Sequence, residues 1–213
     1  MYIDDNILEK IKNGSEYHFT VFEAEKPEVI LGRSRKKEED VILRTCEKDG
    51  VPILRRAGGG GTVLLSPGVI VISIAGKTYF PFYLKEHMNS INEIIIKVLE
   101  RFDVKDLTVN GISDITIGDK KILGSSLYKK KNLVLYQGSL LFNPDMELID
   151  RYLKHPDKEP DYRKGRPHRS FLTSLMKEGY DIDKDRLLLD ISAELGNRNP
   201  WSSEAGFSSS GKT

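Results

Sequence analysis

Apolar and polar positions alternate along the chain in short runs, with helical periods between them. Residues 17–24 alternate and are rich in β-formers, and 29–31 is a second short apolar run that ends at Gly32. Strand-sized runs follow at 52–56, 62–65 and 69–75. Glycines and Ser66-Pro67-Gly68 separate them, in the manner of a three-strand meander. The strongest helical period lies over 84–102, where Leu84, Met88, Ile91, Ile94, Ile95, Val98 and Phe102 recur every three or four residues. Such a stripe predicts a long amphipathic helix laid on a sheet.

Capping signals frame the other helices. Asp4 or Asp5 as N-cap and Gly14 as a stop predict a helix over 4–13. Acids in the first turn and Gly50 past the end predict another over 38–48, with Ile42 and Cys46 on one face. Residues 114–117, Gly118-Asp119 and 120–123 have the shape of a hairpin, and Asn132 after three lysines turns the chain into a strand over 133–142. Helices over 145–153, 170–177 and 183–195 complete the reading. Strands and helices do not alternate as regular βαβ units, so the expected class is α+β, a sheet with helices on one face.

The chain has 213 residues, which suits one domain or one plus a small appendage. Lys+Arg total 33 against 32 Asp+Glu, so no charge excess points to nucleic acid or to an anionic membrane surface. A single cysteine, Cys46, cannot form an internal disulfide. Together with an acidic rather than basic N-terminal stretch, it predicts a cytoplasmic protein. The longest apolar runs, such as 69–75, fall far short of the ~20 residues that span a bilayer. Residues 197–213 turn to Asn, Ser and Gly, with Trp201 and Phe207 almost alone as apolar residues, and predict a flexible tail. His18, His87, His155 and His168 are scattered and show no zinc spacing.

Four segments carry candidate chemistry. Residues 206–213 spell G-x-x-x-x-G-K-T, but no strand precedes them and the chain stops at Thr213. The strand–loop–helix setting that makes a phosphate cradle is therefore not expected there. Arg55-Arg56-Ala57-Gly58-Gly59-Gly60-Gly61-Thr62 follows a strand. Four glycines let backbone amides approach a ligand, and two arginines supply forked donors for phosphate or carboxylate; a flexible hairpin tip is the plainer reading. In Lys120-Lys121-Ile122-Leu123, alternation puts Lys121 with Leu123 and Lys120 with Ile122. One lysine then leans toward a buried side, where an ammonium needs an anion, unless both bend out to solvent. In Tyr136-Gln137-Gly138-Ser139-Leu140, a glycine and polar groups interrupt an apolar strand, by a bulge, a close ligand or plain packing.

Taken together, Arg55–Leu64, 113–117, 121–126 and 136–142 resemble the lipoate-protein ligase A family, whose motifs run RR-x-[ST]-GGG-[AT]-V, N-D-[IL], K-[IV]-x-G-S and H-G-[ST]-L-L. The resemblance covers roughly 1–180. It implies a mixed, largely antiparallel sheet with helices packed on it, the biotin/lipoate-ligase fold related to class II aminoacyl-tRNA synthetases. It implies one catalytic domain over 1–196; the chain stops where many members of that family continue into an accessory C-terminal domain, so none is expected here. It also implies a reaction in which ATP and lipoate give lipoyl-adenylate, and the acyl group passes to a lysine of a lipoyl-domain or glycine-cleavage H-type carrier protein. A separately encoded accessory subunit is a further possible partner.

By the same resemblance Lys121 matches the catalytic lysine. Arg56, Gly58, Gly59, Gly60, Gly61, Thr62, Asp114, Gly124, Ser125, Gly138 and Ser139 would line the acyl and nucleotide cavity, and Asp114 is placed near Mg2+ or the nucleotide. Leu65 and Ser66 replace the family's histidine and aspartate, Ser113 its asparagine, and Gln137 its histidine. The charged segment 155–169 is read as a solvated loop or an adenylate-binding lid. Two other readings are an ATP-independent octanoyltransferase of the same fold, for which Cys46 would be the nucleophile, and a non-catalytic acyl- or nucleotide-binding homologue.

Overall fold

The computed structural model describes residues 4–78 and 83–201, with side chains from Asn6 onward. The capping by Asp4 or Asp5, Phe207 and the motif at 206–213 lie outside the described residues. Helix α1 (Asp4–Lys12) leads into β1 (Tyr17–Glu23) and β2 (Glu28–Leu31), then α2 (Lys37–Asp40), α3 (Leu43–Asp49), β3 (Ile53–Arg55), β4 (Val63–Leu65) and β5 (Val69–Lys77). The long α4 (Leu84–Arg101) precedes β6 (Leu107–Asn110), β7 (Asp114–Ile117), β8 (Lys120–Lys130) and β9 (Leu133–Leu141). After these come α5 (Met146–Tyr152), a 3-10 turn (Asp161–Arg163), α6 (His168–Phe171) and α7 (Lys184–Asn197).

The main sheet has six strands in the order β1-β5-β9-β8-β7-β6, every neighbour antiparallel. A smaller sheet, β3-β2-β4, pairs β2 parallel to β3 and antiparallel to β4. The expected meander is therefore wrong: β3 and β4 flank β2, and β5 enters the other sheet. Val29, Ile30 and Leu31 of β2 are buried, and a strand covered on both faces takes the centre of a sheet. The chain from β3 to β4, which holds the glycines, must consequently cross over β2.

Two expected helices are corrected. The helix over 38–48 breaks at Val41, which bridges Leu153 in extended conformation, while the Ile42 amide donates to the Tyr152 carbonyl. Strand pairing of a buried β-branched residue outweighs helix propensity here. The segment 170–177 is helical only to Phe171. Leu172 is extended and bridges Lys121, and the Thr173 amide donates to the Lys121 carbonyl at 3.0 Å.

Alternation along β5 and β9 divides the molecule into layers. Ile70, Ile72, Ile74, Val134, Tyr136 and Leu140 face α4 and α7. On the opposite face Ala75 and Leu135 meet Ile7 and Ile11 of α1, and Val69, Val71 and Leu141 meet Ile30 and Leu65 of the small sheet. The two longest helices share one face as expected, but α1 lies on the other. Trp201 is fully buried against Gly76, so the first residues of the presumed tail return to the core. Among the described residues no helix is long and apolar enough to cross a membrane.

Candidate active site

The centre of the main sheet offers a polar floor on the face away from α4. Gly124 stands opposite Ser139, and Ser126 opposite Gln137, while the adjacent pair Leu123 and Leu140 points into the helix-side core. Gly124 and Ser126, two residues apart on one strand, share a face about 7 Å apart.

Lys121 reaches this floor because β8 carries an extra residue. The register slips between Ile115 and Thr116, so that Ile115 pairs with Leu123 and Thr116 with Lys121. Ile122 and Leu123 are both buried in the main core. Simple alternation thus fails at this irregularity, which is what such irregularities do: they re-aim a side chain. Lys120 turns out to Glu178 at 3.2 Å, and Lys121 places Nζ 2.9 Å from Asp114 Oδ1. The two side chains are 23% and 15% exposed, open enough for a ligand and closed enough to strengthen the pairing. The Tyr162 hydroxyl donates to Asp114 Oδ2 at 2.7 Å, so each carboxylate oxygen has a partner.

The glycine loop borders the other end of the floor. A Cβ on Gly58 would stand 2.7 Å from Ser126 Oγ, so only glycine lets the loop come down on the strand there. Arg56 is buried and holds the loop from beneath. Its Nε donates to the Gly59 carbonyl at 3.1 Å, and its Nη2 to the carbonyls of Gly59 at 2.6 Å and Gly61 at 2.7 Å. Arg55 Nη1 in turn reaches the carbonyls of Gly32, Arg33 and Arg35 at 2.7–3.0 Å. The arginine pair therefore shapes two loops through their carbonyls rather than presenting two open forks to an anion. Thr62 donates to Asp40, which Arg35 also grips. Burial works against ionised Asp40, but Arg35 and Thr62 hold its carboxyl below the usual range.

The structure thus gathers Lys121, Asp114, Gly58, Gly124 and Ser139 around one floor, with Arg56, Gly59, Gly60, Gly61 and Thr62 shaping its border. Ser125 lies on the other face of β8, where its Oγ donates to Ser113 Oγ at 2.8 Å. A Cβ on Gly138 would stand 3.0 Å from the Tyr136 hydroxyl and 3.1 Å from its ring carbon Cε1, which gives this glycine a packing reason. Behind the floor, buried Asn92 donates to the Ser113 carbonyl at 3.1 Å and accepts from the Tyr136 hydroxyl at 3.4 Å, steadying the start of β7. Asn92 is legible only as a polar residue within the apolar stripe of α4. Tyr162 is legible only as the one aromatic side chain within 155–169.

That charged segment is folded against the sheet. Arg166 Nη1 donates to Asp119 Oδ2 at 2.6 Å, and the guanidinium carbons of Arg163 and Arg166 lie 4.7 Å and 5.4 Å from the Phe171 ring centre. Cys46 is buried with Val29, Leu31 and Tyr152, and burial, reinforced by Asp49, pushes its thiol pKa up. An unexposed thiol so placed is a poor nucleophile. Among the described residues no three His, Cys, Asp or Glu side chains gather to hold a metal. Asp114, with an ammonium on one oxygen and a hydroxyl on the other, does not fit a protein-held magnesium site.

The model of the lipoyl protein ligase A/B catalytic domain matches residues 1–195. The chain is 31% identical over 166 residues to the probable lipoate-protein ligase A of Mycoplasma pneumoniae, covering 76% of this chain and 47% of that protein. It is 26% identical over 144 residues to lipoate–protein ligase 1 of Staphylococcus aureus, covering 66% and 42%. It thus spans somewhat less than half the length of these curated relatives. A crystal structure of lipoate-protein ligase A bound with ATP has the same fold, with a TM-score of 0.77 at 20% identity over 91% of this chain and 77% of that one. The putative lipoate protein ligase of Thermoplasma acidophilum with bound lipoic acid gives 0.73 at 19% identity, over 86% and 73%.

Proposed function

The chain belongs to the lipoyl protein ligase A/B catalytic-domain family, and on that premise we propose that it activates lipoate or octanoate with ATP and transfers the acyl group to a lysine of a lipoyl-domain protein. In the first step a carboxylate oxygen attacks the α-phosphorus of ATP, the bond to the β-phosphate oxygen breaks, and pyrophosphate leaves. In the second the acceptor lysine's ε-amine attacks the acyl carbon, AMP leaves, and the amine gives up a proton to form the amide.

Both anions of the first step must approach each other, and a fixed cation between them lowers that barrier. The observation that carries the reading is the position of Lys121, an ammonium held 2.9 Å from Asp114 on the glycine-floored face of β8 that the Gly58 loop also borders. The loop's backbone, held by Arg56, supplies a rigid border for the acyl and nucleotide groups. Magnesium would enter on phosphate oxygens, and no step here relies on it.

The acceptor is proposed to be a lipoyl domain or an H-type carrier. One structural relative is described as part of a bi-partite lipoate protein ligase with its E2 lipoyl domain, which supports a separate accessory subunit as a second partner. Mass spectrometry of an apo lipoyl domain incubated with the protein, lipoate and Mg-ATP tests the reading. A gain of one lipoyl group that requires ATP and disappears in Lys121→Ala supports it. Octanoylation from an acyl carrier protein without ATP would replace it with a transferase.

A further inference from the structure

The geometry points to Tyr162 as a positioning residue for Lys121: its hydroxyl holds the outer oxygen of Asp114, so that the inner oxygen fixes the lysine ammonium above Gly124. This inference rests on the ligase reading and names a residue that acts through another.

An isolated aspartate–lysine pair is a loose device. The carboxylate turns about its own axis and the lysine has four rotatable bonds, so the ammonium wanders unless something fixes the carboxylate. Tyr162 supplies that constraint. Its hydroxyl donates to Asp114 Oδ2 at 2.7 Å, while Lys121 sits 2.9 Å from Oδ1. The ring is itself immobilised: its centre is 5.2 Å from that of Phe171, and a Cβ on Gly111 would come within 3.4 Å of it. Arg166 Nη2 donates to the Tyr162 carbonyl at 3.0 Å and Nη1 to Asp119 at 2.6 Å, tying the turn to the β7–β8 hairpin that carries Lys121.

On the lysine side, the strap after α6 fixes the backbone, with the Thr173 amide on the Lys121 carbonyl at 3.0 Å. The site lysine is therefore held at its backbone by 172–173 and at its ammonium by the relay from Tyr162. Burial, and then the neighbouring Asp114, raise the phenol's pKa, so the hydroxyl keeps its proton and remains a donor.

Tyr162→Phe tests this, because it keeps the ring packed on Phe171 and removes only the hydroxyl. ATP–pyrophosphate exchange driven by lipoate should show kcat lowered by about 10- to 100-fold, the scale of one lost hydrogen bond to a charged group. KM for ATP and lipoate should stay within about 2-fold, since a positioning role acts in the transition state. The 15N signal of the Lys121 ammonium, followed without substrates, should shift or broaden while Tm changes little. A phenylalanine variant with wild-type kcat and an unchanged ammonium signal would overturn the inference and leave the ligase reading intact. A fall in activity that tracks a fall in Tm would overturn it as well, in favour of a structural role. Absence of exchange in the wild type, both alone and with an accessory subunit added, would instead bring down the ligase reading and this inference with it.

Discussion

The Lys121 ammonium occupies the space over Gly124 that a side chain would need: a Cβ on Gly124 would stand 2.6 Å from Lys121 Nζ and 2.7 Å from Cε. Gly124→Ala therefore evicts the ammonium from Asp114. The obstructing atoms are the far end of a flexible side chain, so the lysine yields at a stability cost of about 1 kcal/mol or less. Lipoate-dependent pyrophosphate exchange should fall by about 10- to 100-fold nonetheless, because a misplaced cation no longer meets the developing charge. Parallel Tm and exchange measurements check the split; an alanine variant with full activity would refute the assigned position.

Arg56 supports the glycine loop, and its removal should act on stability before chemistry. Arg56→Ala leaves the carbonyls of Gly59 and Gly61 without their buried donor and should cost about 2–4 kcal/mol. Arg56→Lys should recover only part of it, since an ammonium cannot reproduce the fork. Denaturant titration and the rate of proteolysis within 58–61 measure both effects, and a lysine variant as stable as the wild type would contradict the bonding pattern.

Trp201 is a core residue by position. Its indole lies over Gly76 and edge-on to Tyr17 and His87, with ring centres 6.1 Å and 6.4 Å away. Trp201→Ala should cost about 3–5 kcal/mol, the range for an aromatic side chain deleted from a core. A change in Tm too small to resolve would show that the segment after α7 does not hold its place.

Acid should weaken the fold in two stages. His168 has its folded pKa lowered, first by burial and then by Arg163. The unfolded chain therefore takes up the proton first, and stability is complete above about 6.5 and declines as the pH falls from there toward the lower folded value. Asp40 has its folded pKa lowered too, by Arg35 and Thr62 against the opposing effect of burial. Its contribution is complete above about 3.9 and is lost as the pH falls through the folded value. Urea titrations between pH 8 and 3 should show His168→Gln flattening the upper stage and Asp40→Asn the lower. An upper stage unaltered in His168→Gln would assign it to another group.

The sequence alone delimits most elements and the family. The stripe from Met88 to Val98 and the stop at Gly50, which is in left-handed conformation, are local signals, and they stand where expected because each depends on neighbours a few residues away. Chain order also brought out Lys121, Asp114 and the glycine run as a set.

Only the tertiary structure decided what these residues face. The crossing of 58–61 over β2 depends on which strand takes the centre of the small sheet, and the break at Val41 depends on Leu153, far along the chain. The irregularity opposite Ile115 and Thr116 sends Ile122 and Leu123 inward together, and with them reverses the face that alternation gives Lys121. Tyr162 reaches Asp114 across 48 positions of sequence. Strand register and long-range hydrogen bonds are properties of pairs of segments, so no period within a single segment encodes them.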